Sequence, residues 1–91
     1  MKATEGLLAG FAQALRERRH ATAISQEELA HRADLHRTYV SQLERGLKSP
    51  SLAAIQALAA ALDLRPHQLV RAAEEAAGSR SGAGQGRGAA R

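Results

Sequence analysis

The sequence predicts an all-α fold, a compact bundle of five short helices, and three observations predict it. Apolar residues recur at three- and four-residue spacing through the first 77 residues. No stretch alternates as a half-buried strand would. Start and stop signals cut the region into short segments joined by a few residues each. The first helix, about 5–21, places Leu8, Phe11 and Leu15 on one face. The second opens at Ser25, whose hydroxyl can cap the backbone. Glu28, three residues on, can reach back, so Ser25-Gln26-Glu27-Glu28 reads as a capping box. This helix buries Leu29, Ala30 and Ala33 and ends near Asp34. The third, about 36–45, turns Val40 and Leu43 inward and has Gly46 just past its end, where a left-handed residue is wanted. The fourth, about 51–62, follows Pro50 and Ser51 and carries Leu52, Ile55, Leu58, Ala59 and Leu62. The fifth starts at Pro66, a residue favoured in a first helical turn, and carries Leu69, Val70 and Ala73.

Ninety-one residues make one domain, not two. The expected folded domain is 1–77. The glycine-, serine- and arginine-rich stretch 78–91 has no large apolar residue, so it is expected to be a disordered tail. Its Gly82-x-Gly84-x-Gly86 run has no strand before it and no helix after it, and is therefore a linker rather than a phosphate loop. Cysteine is absent, which excludes disulfides and cysteine-based metal or redox chemistry. There is no apolar run long enough to span a membrane, and Met1–Gly6 lacks the apolar stretch of a secretory signal. The chain is expected in the cytoplasm, away from membranes. The net charge of +4 invites a nucleic-acid reading, but its distribution weakens it. Residues 1–77 carry ten Lys/Arg against nine Asp/Glu, and the remaining positive charges are Arg80, Arg87 and Arg91. The placement of charge on the helices matters more than the total.

The informative stretch runs from Ser25 to Gly46. Two helices joined by little more than Asp34-Leu35 must cross steeply, which leaves one face of the second standing clear of the first. On the third helix Arg37 and Ser41 are four apart, as are Thr38 and Gln42, so the four share one stripe. Val40, Leu43 and Glu44 point toward the body. The exposed stripe is polar and free of acid, as reading base edges in a major groove requires. Arg can donate twice to guanine, Gln can pair with adenine, and Thr offers a hydroxyl and a methyl. Gln26, at the positive end of the second helix, is a candidate phosphate donor. Arg45 and Lys48 flank the third helix and would face the backbone, where contacts hold without reading sequence.

Ser25-Gln26-Glu27-Glu28-Leu29-Ala30, then Arg37-Thr38-Tyr39-Val40-Ser41-Gln42-Leu43-Glu44-Arg45-Gly46, then Pro50-Ser51-Leu52 resembles the Cro-like, xenobiotic-response-element (XRE) helix-turn-helix family. The resemblance covers about residues 8–75. The Arg-Thr-Tyr opening of the third helix is also similar to the small controller proteins of restriction–modification systems. What the resemblance implies is a lambda-repressor-like domain acting as a transcriptional regulator on double-stranded DNA. Its second helix would lie across the backbone and its third would enter the major groove. Arg37, Thr38, Ser41 and Gln42 would then contact bases. Gln26, His36, Tyr39, Arg45 and Lys48 would contact phosphates. Arg19 and Glu44 would form an ion pair beneath the motif. Several positions depart from the family pattern. Ala23 and Asp63 stand where glycines commonly end helices one and four. Arg18 stands where leucine is common, which implies a thinner core there. His36 replaces a Ser or Thr cap.

A monomer reading about four base pairs has too little specificity to find one site in a genome. A homodimer on a palindromic operator is therefore expected, with Leu69, Val70 and Ala73 as candidate interface residues and the nucleoid as its location. An antitoxin or other interaction module, with DNA binding serving autoregulation, is the alternative. A toxin or RNA polymerase would be its protein partner. Catalysis finds no support. His20, His31, His36 and His67 lack metal-binding spacing, and no serine sits in a Gly-x-Ser-x-Gly turn. No enzyme activity, metal or cofactor is expected.

Overall fold

The computed structural model describes residues 2–82, with side chains from Gly6 to Gly78. Five helices follow one another: α1 (Lys2–Ala21), α2 (Gln26–Ala33), α3 (Arg37–Glu44), α4 (Leu52–Ala61) and α5 (Pro66–Gly82). Among the described residues there is no strand. Each helix contributes to one core. Leu15, Leu29, Leu43, Leu58 and Leu69, one from each helix, are fully buried, together with Val40 and Leu62. Burying a leucine contributes roughly 1.5–3 kcal/mol, so this set supplies most of the drive for collapse. Alanines fill the remaining contacts, among them Ala14, Ala30, Ala59 and Ala73.

Four helix exits use the same device. Ala23, Asp34, Gly46 and Asp63 all adopt positive φ, between 58° and 72°. In each case the next residue's N–H returns to the last turn: Ile24 to Arg19, Leu35 to Ala30, Leu47 to Gln42 and Leu64 to Ala59. These are Schellman closures, which satisfy carbonyls the helix leaves open. Only one of the four positions is glycine. Asp tolerates the left-handed region through its short polar side chain, but alanine carries a penalty of about 1–2 kcal/mol there. Ala23→Gly should therefore raise stability, by about 0.5–1 kcal/mol once glycine's extra chain entropy is set against the relief. Thermal unfolding should show an upward shift of a few degrees. A lower melting temperature would mean that Ala23 is not strained.

α1 packs most extensively against α5, and Gly10 sets how closely. A Cβ at this position would lie 2.3 Å from the Ala73 carbonyl oxygen and 2.8 Å from the Ala77 nitrogen. Both are backbone atoms, so no side chain can swing aside, and the helices touch through the bare glycine. α5 itself runs further than expected. The sequence placed the end of the ordered domain at residue 77, yet the helix continues through Gly82. Ala76 and Ala77 favour helix, and the tolerable cost of Gly78 does not stop propagation. Residues 83–91, most of the expected tail, lie outside the described residues.

The same packing corrects the expected dimer surface. Leu69 is 0% and Ala73 2% exposed, because both belong to the central cluster. Neither can be offered to a partner, and Val70 alone of that trio is partly exposed.

Candidate nucleic-acid interface

The site begins with the start of α2. Ser25 has extended backbone, φ −78° and ψ 167°, and its Oγ accepts from the Glu28 N–H at 3.0 Å. The capping box is only half realised. The Glu28 carboxylate pairs with Arg32, one turn on, at 2.8 Å, and this hydrogen bond holds Glu28 below the usual carboxylate range. The turn to α3 is three residues: Asp34 left-handed, Leu35 packed against the core, and His36 as N-cap. His36 makes no side-chain capping bond, so α3 starts without the support a Ser or Thr would give.

α3 is held from below. Val40 and Leu43 are fully buried, and Glu44 is 1% exposed. The Glu44 carboxylate accepts from Arg19 Nε at 2.6 Å and Nη2 at 3.0 Å, a forked pair, and from the Gln26 amide at 3.0 Å. Arg19 also donates through Nη1 to the Ile24 carbonyl at 3.0 Å. Arg16, one turn earlier on α1, donates to the Glu44 main-chain carbonyl. That carbonyl is at the negative end of α3, where a cation is favoured. One carboxylate thus ties the end of α1, the start of α2 and the end of α3 together. The bond to Glu44 raises the Arg19 proton affinity above the ordinary arginine value despite partial desolvation. Its contribution to stability is therefore complete below the ordinary arginine range and is lost only as pH rises through the still higher folded value. Neutral and mildly alkaline conditions leave it intact.

The opposite side of α3 is open. Arg37 and Thr38 are exposed, and Ser41 and Gln42 are half-buried at its edge. Tyr39 is half-buried and packs its ring against the core. Arg45, Lys48 and His36 are exposed. Among the described residues no carboxylate pairs with Arg37, Arg45 or Lys48. Between Leu35 and Leu62 the only acid is Glu44, and it is buried and neutralised. The surface of α3 and the following turn therefore carries uncancelled positive charge. An α-helix with its side chains is about 10–12 Å across, which suits a major groove about 12 Å wide.

Gln26 is the first residue of α2. Its amide is engaged by Glu44 rather than standing free, which fixes it at the first turn of α2. Arg16 was missed altogether, although its three-residue spacing from Arg19 put both on one face of α1. Among the described residues, no group of three His, Asp or Glu side chains gathers as a metal site requires. No helix there is long and apolar enough to cross a membrane.

A short-turned helix pair, with a supported second helix and a bare cationic face, defines a DNA-binding regulator of the helix-turn-helix class. The family profile described as helix-turn-helix matches residues 15–69, and the chain belongs to this family, in its XRE-type branch. It is 43% identical over 61 residues to the control protein C.BamHI of Bacillus amyloliquefaciens, an alignment covering 66% of this chain and 75% of that one. Among solved structures it is similar to the restriction-modification controller protein C.AhdI of Aeromonas hydrophila, with 48% identity and a TM-score of 0.67. That match covers 68% of this chain and 94% of the other. The clp gene regulator ClgR of Corynebacterium glutamicum superposes with a TM-score of 0.78 at 25% identity, over 82% of this chain and 80% of the other.

Proposed function

We propose that this regulator acts as a controller-type protein, binding a palindromic operator as a homodimer and reading it through α3 in the major groove. The observation that carries the reading is the face of α3. Its hydrogen-bonding side chains are presented without any exposed acid, and the one carboxylate on the helix is buried against Arg19. Arg37, Thr38, Ser41 and Gln42 are the base-reading set. Gln26, His36, Tyr39, Arg45 and Lys48 hold the phosphates on either side. Likeness to two controller proteins supports the class. Selection of bound sequences from a random DNA pool, followed by footprinting, tests the proposal. Enrichment of an inverted repeat with half-sites about one DNA turn apart is expected. No enrichment over the starting pool would refute it.

The apolar surface available for pairing lies beside the buried Leu69 and Ala73, not on them. Leu52 is 85% and Leu7 43% exposed. Leu7, with Val70 and Ile55, lines an open apolar cavity of about 190 Å³. A two-fold axis near this patch would bring Leu52 of one copy to the hollow of the other, an isologous arrangement. Leu52→Glu should convert a dimer to a monomer in sedimentation and weaken operator binding, while the melting temperature of the isolated subunit changes little. A variant that stays dimeric would place the interface elsewhere.

A further inference from the structure

We propose that the groove between α1 and α5 at Arg18 is a binding site for a small oxyanion ligand, a carboxylate or phosphate group on a short apolar body. A cavity of about 300 Å³ opens there, lined by Arg18, Leu64, His67, Gln68, Arg71 and Glu75. None of its lining residues belongs to α2 or α3, so it is separate from the DNA-reading surface. Arg18 is the unusual member. It is half-buried on α1, and its Nε is buried with no hydrogen-bond partner. No carboxylate among the described residues pairs with it. By helical periodicity Arg18 points away from Arg16 and Arg19, which are both committed to Glu44. With no carboxylate partner among the described residues, the Arg18 guanidinium keeps its full positive charge at the groove, and a planar oxyanion is the partner that an arginine fork matches.

The neighbours complete the chemistry. The Gln68 side-chain oxygen is occupied, accepting from the Arg65 N–H at 2.8 Å. Its amide nitrogen has no protein partner among the described residues and remains a donor. His67 stands in the first turn of α5, a helix of 17 residues whose positive end favours an anion. Glu75 is the one acid in the groove, and Arg71 holds it at 3.3 Å, which leaves the Arg18 charge uncancelled. Leu64 and Ala72 supply an apolar wall for the rest of the ligand.

Titration of the full-length protein with inorganic phosphate and, separately, with butyrate, followed through backbone amide resonances, tests the assignment. Potassium chloride at matched ionic strength is the control. Expected is a saturable shift at His67, Gln68 and Arg71 with at least one probe. A tighter midpoint for phosphate points to a phosphate ester, and one for butyrate to an aliphatic carboxylate. Arg18→Leu should keep the fold and weaken the response by about tenfold or more, as loss of a charge-assisted hydrogen bond does. Glu75→Gln, at an exposed rim position, frees Arg71 and should tighten binding. No saturable shift with either probe, a response retained in Arg18→Leu, or weaker binding in Glu75→Gln would overturn the proposal.

Discussion

Replacing Glu44 with alanine should destabilise the domain by about 3–5 kcal/mol, because it leaves the Arg19 guanidinium without its counter-charge. The carboxylate side chain is 2% exposed and that of Arg19 12%, so solvent can recover little of the lost interaction. In a domain of this size each kcal/mol shifts the melting temperature by roughly 4–8 °C. A fall of more than about 12 °C is therefore expected by calorimetry or circular dichroism. Glu44→Gln should fall between, since it keeps a shape and an acceptor while losing the charge. A paired replacement, Arg19→Met with Glu44→Leu, should recover much of the loss, as apolar pairs of similar volume often substitute for buried ions. It should nonetheless loosen operator recognition, because Gln26 loses its anchor on Glu44. An unchanged melting temperature in Glu44→Ala would show that the tie between α1, α2 and α3 contributes nothing.

Arg37→Ala and Arg45→Ala should separate reading from holding. Arg37 opens α3, where a long forked donor can span both acceptors of a guanine. Its loss should weaken cognate binding by roughly 1–3 kcal/mol and relax preference at one base pair per half-site. Arg45 is the exposed C-cap of the same helix, where an approach to the backbone is expected. Its loss should weaken every sequence about equally and make the salt dependence shallower by roughly one unit per contact. Binding of both variants to selected and scrambled DNA across several salt concentrations distinguishes the two behaviours. An even loss on both DNAs for Arg37→Ala would move the reading face elsewhere on the helix.

Much of the fold was legible because local and long-range signals agree. Ser25 and Ser51 cap α2 and α4 through their hydroxyls, each at 3.0 Å from the third residue on. Gly46 closes α3 with positive φ. The apolar spacing gave the core leucines, and burial of Glu44 followed from its place beside Val40 and Leu43. What escaped depends on geometry between helices. Leu69 and Ala73 look alike whether they face α1 or a second subunit, and periodicity cannot name the occupant of an apolar face. Gly10 reads as a weak point in a helix until α5 is seen to press on it. Ala23 offers no glycine to end α1, yet the chain adopts the left-handed turn, since the Ile24 bond to Arg19 and core packing outweigh the local strain. The tie between Gln26 and Glu44 was not legible because the two are eighteen residues apart.

The central claim is that Arg37 reads a base, and a cycle crossing protein and DNA changes tests it most directly. One guanine of the selected half-site is replaced by 7-deazaguanine, which removes the N7 acceptor and leaves the base pair intact. The wild-type protein should lose about tenfold in affinity, roughly 1.4 kcal/mol, at the guanine that Arg37 contacts. Arg37→Ala, already lacking the donor, should bind normal and modified operators equally well. If Arg37→Ala suffers the same further loss as the wild type at every guanine tested, the effects are independent, and the account of α3 as the reading helix through Arg37 is contradicted.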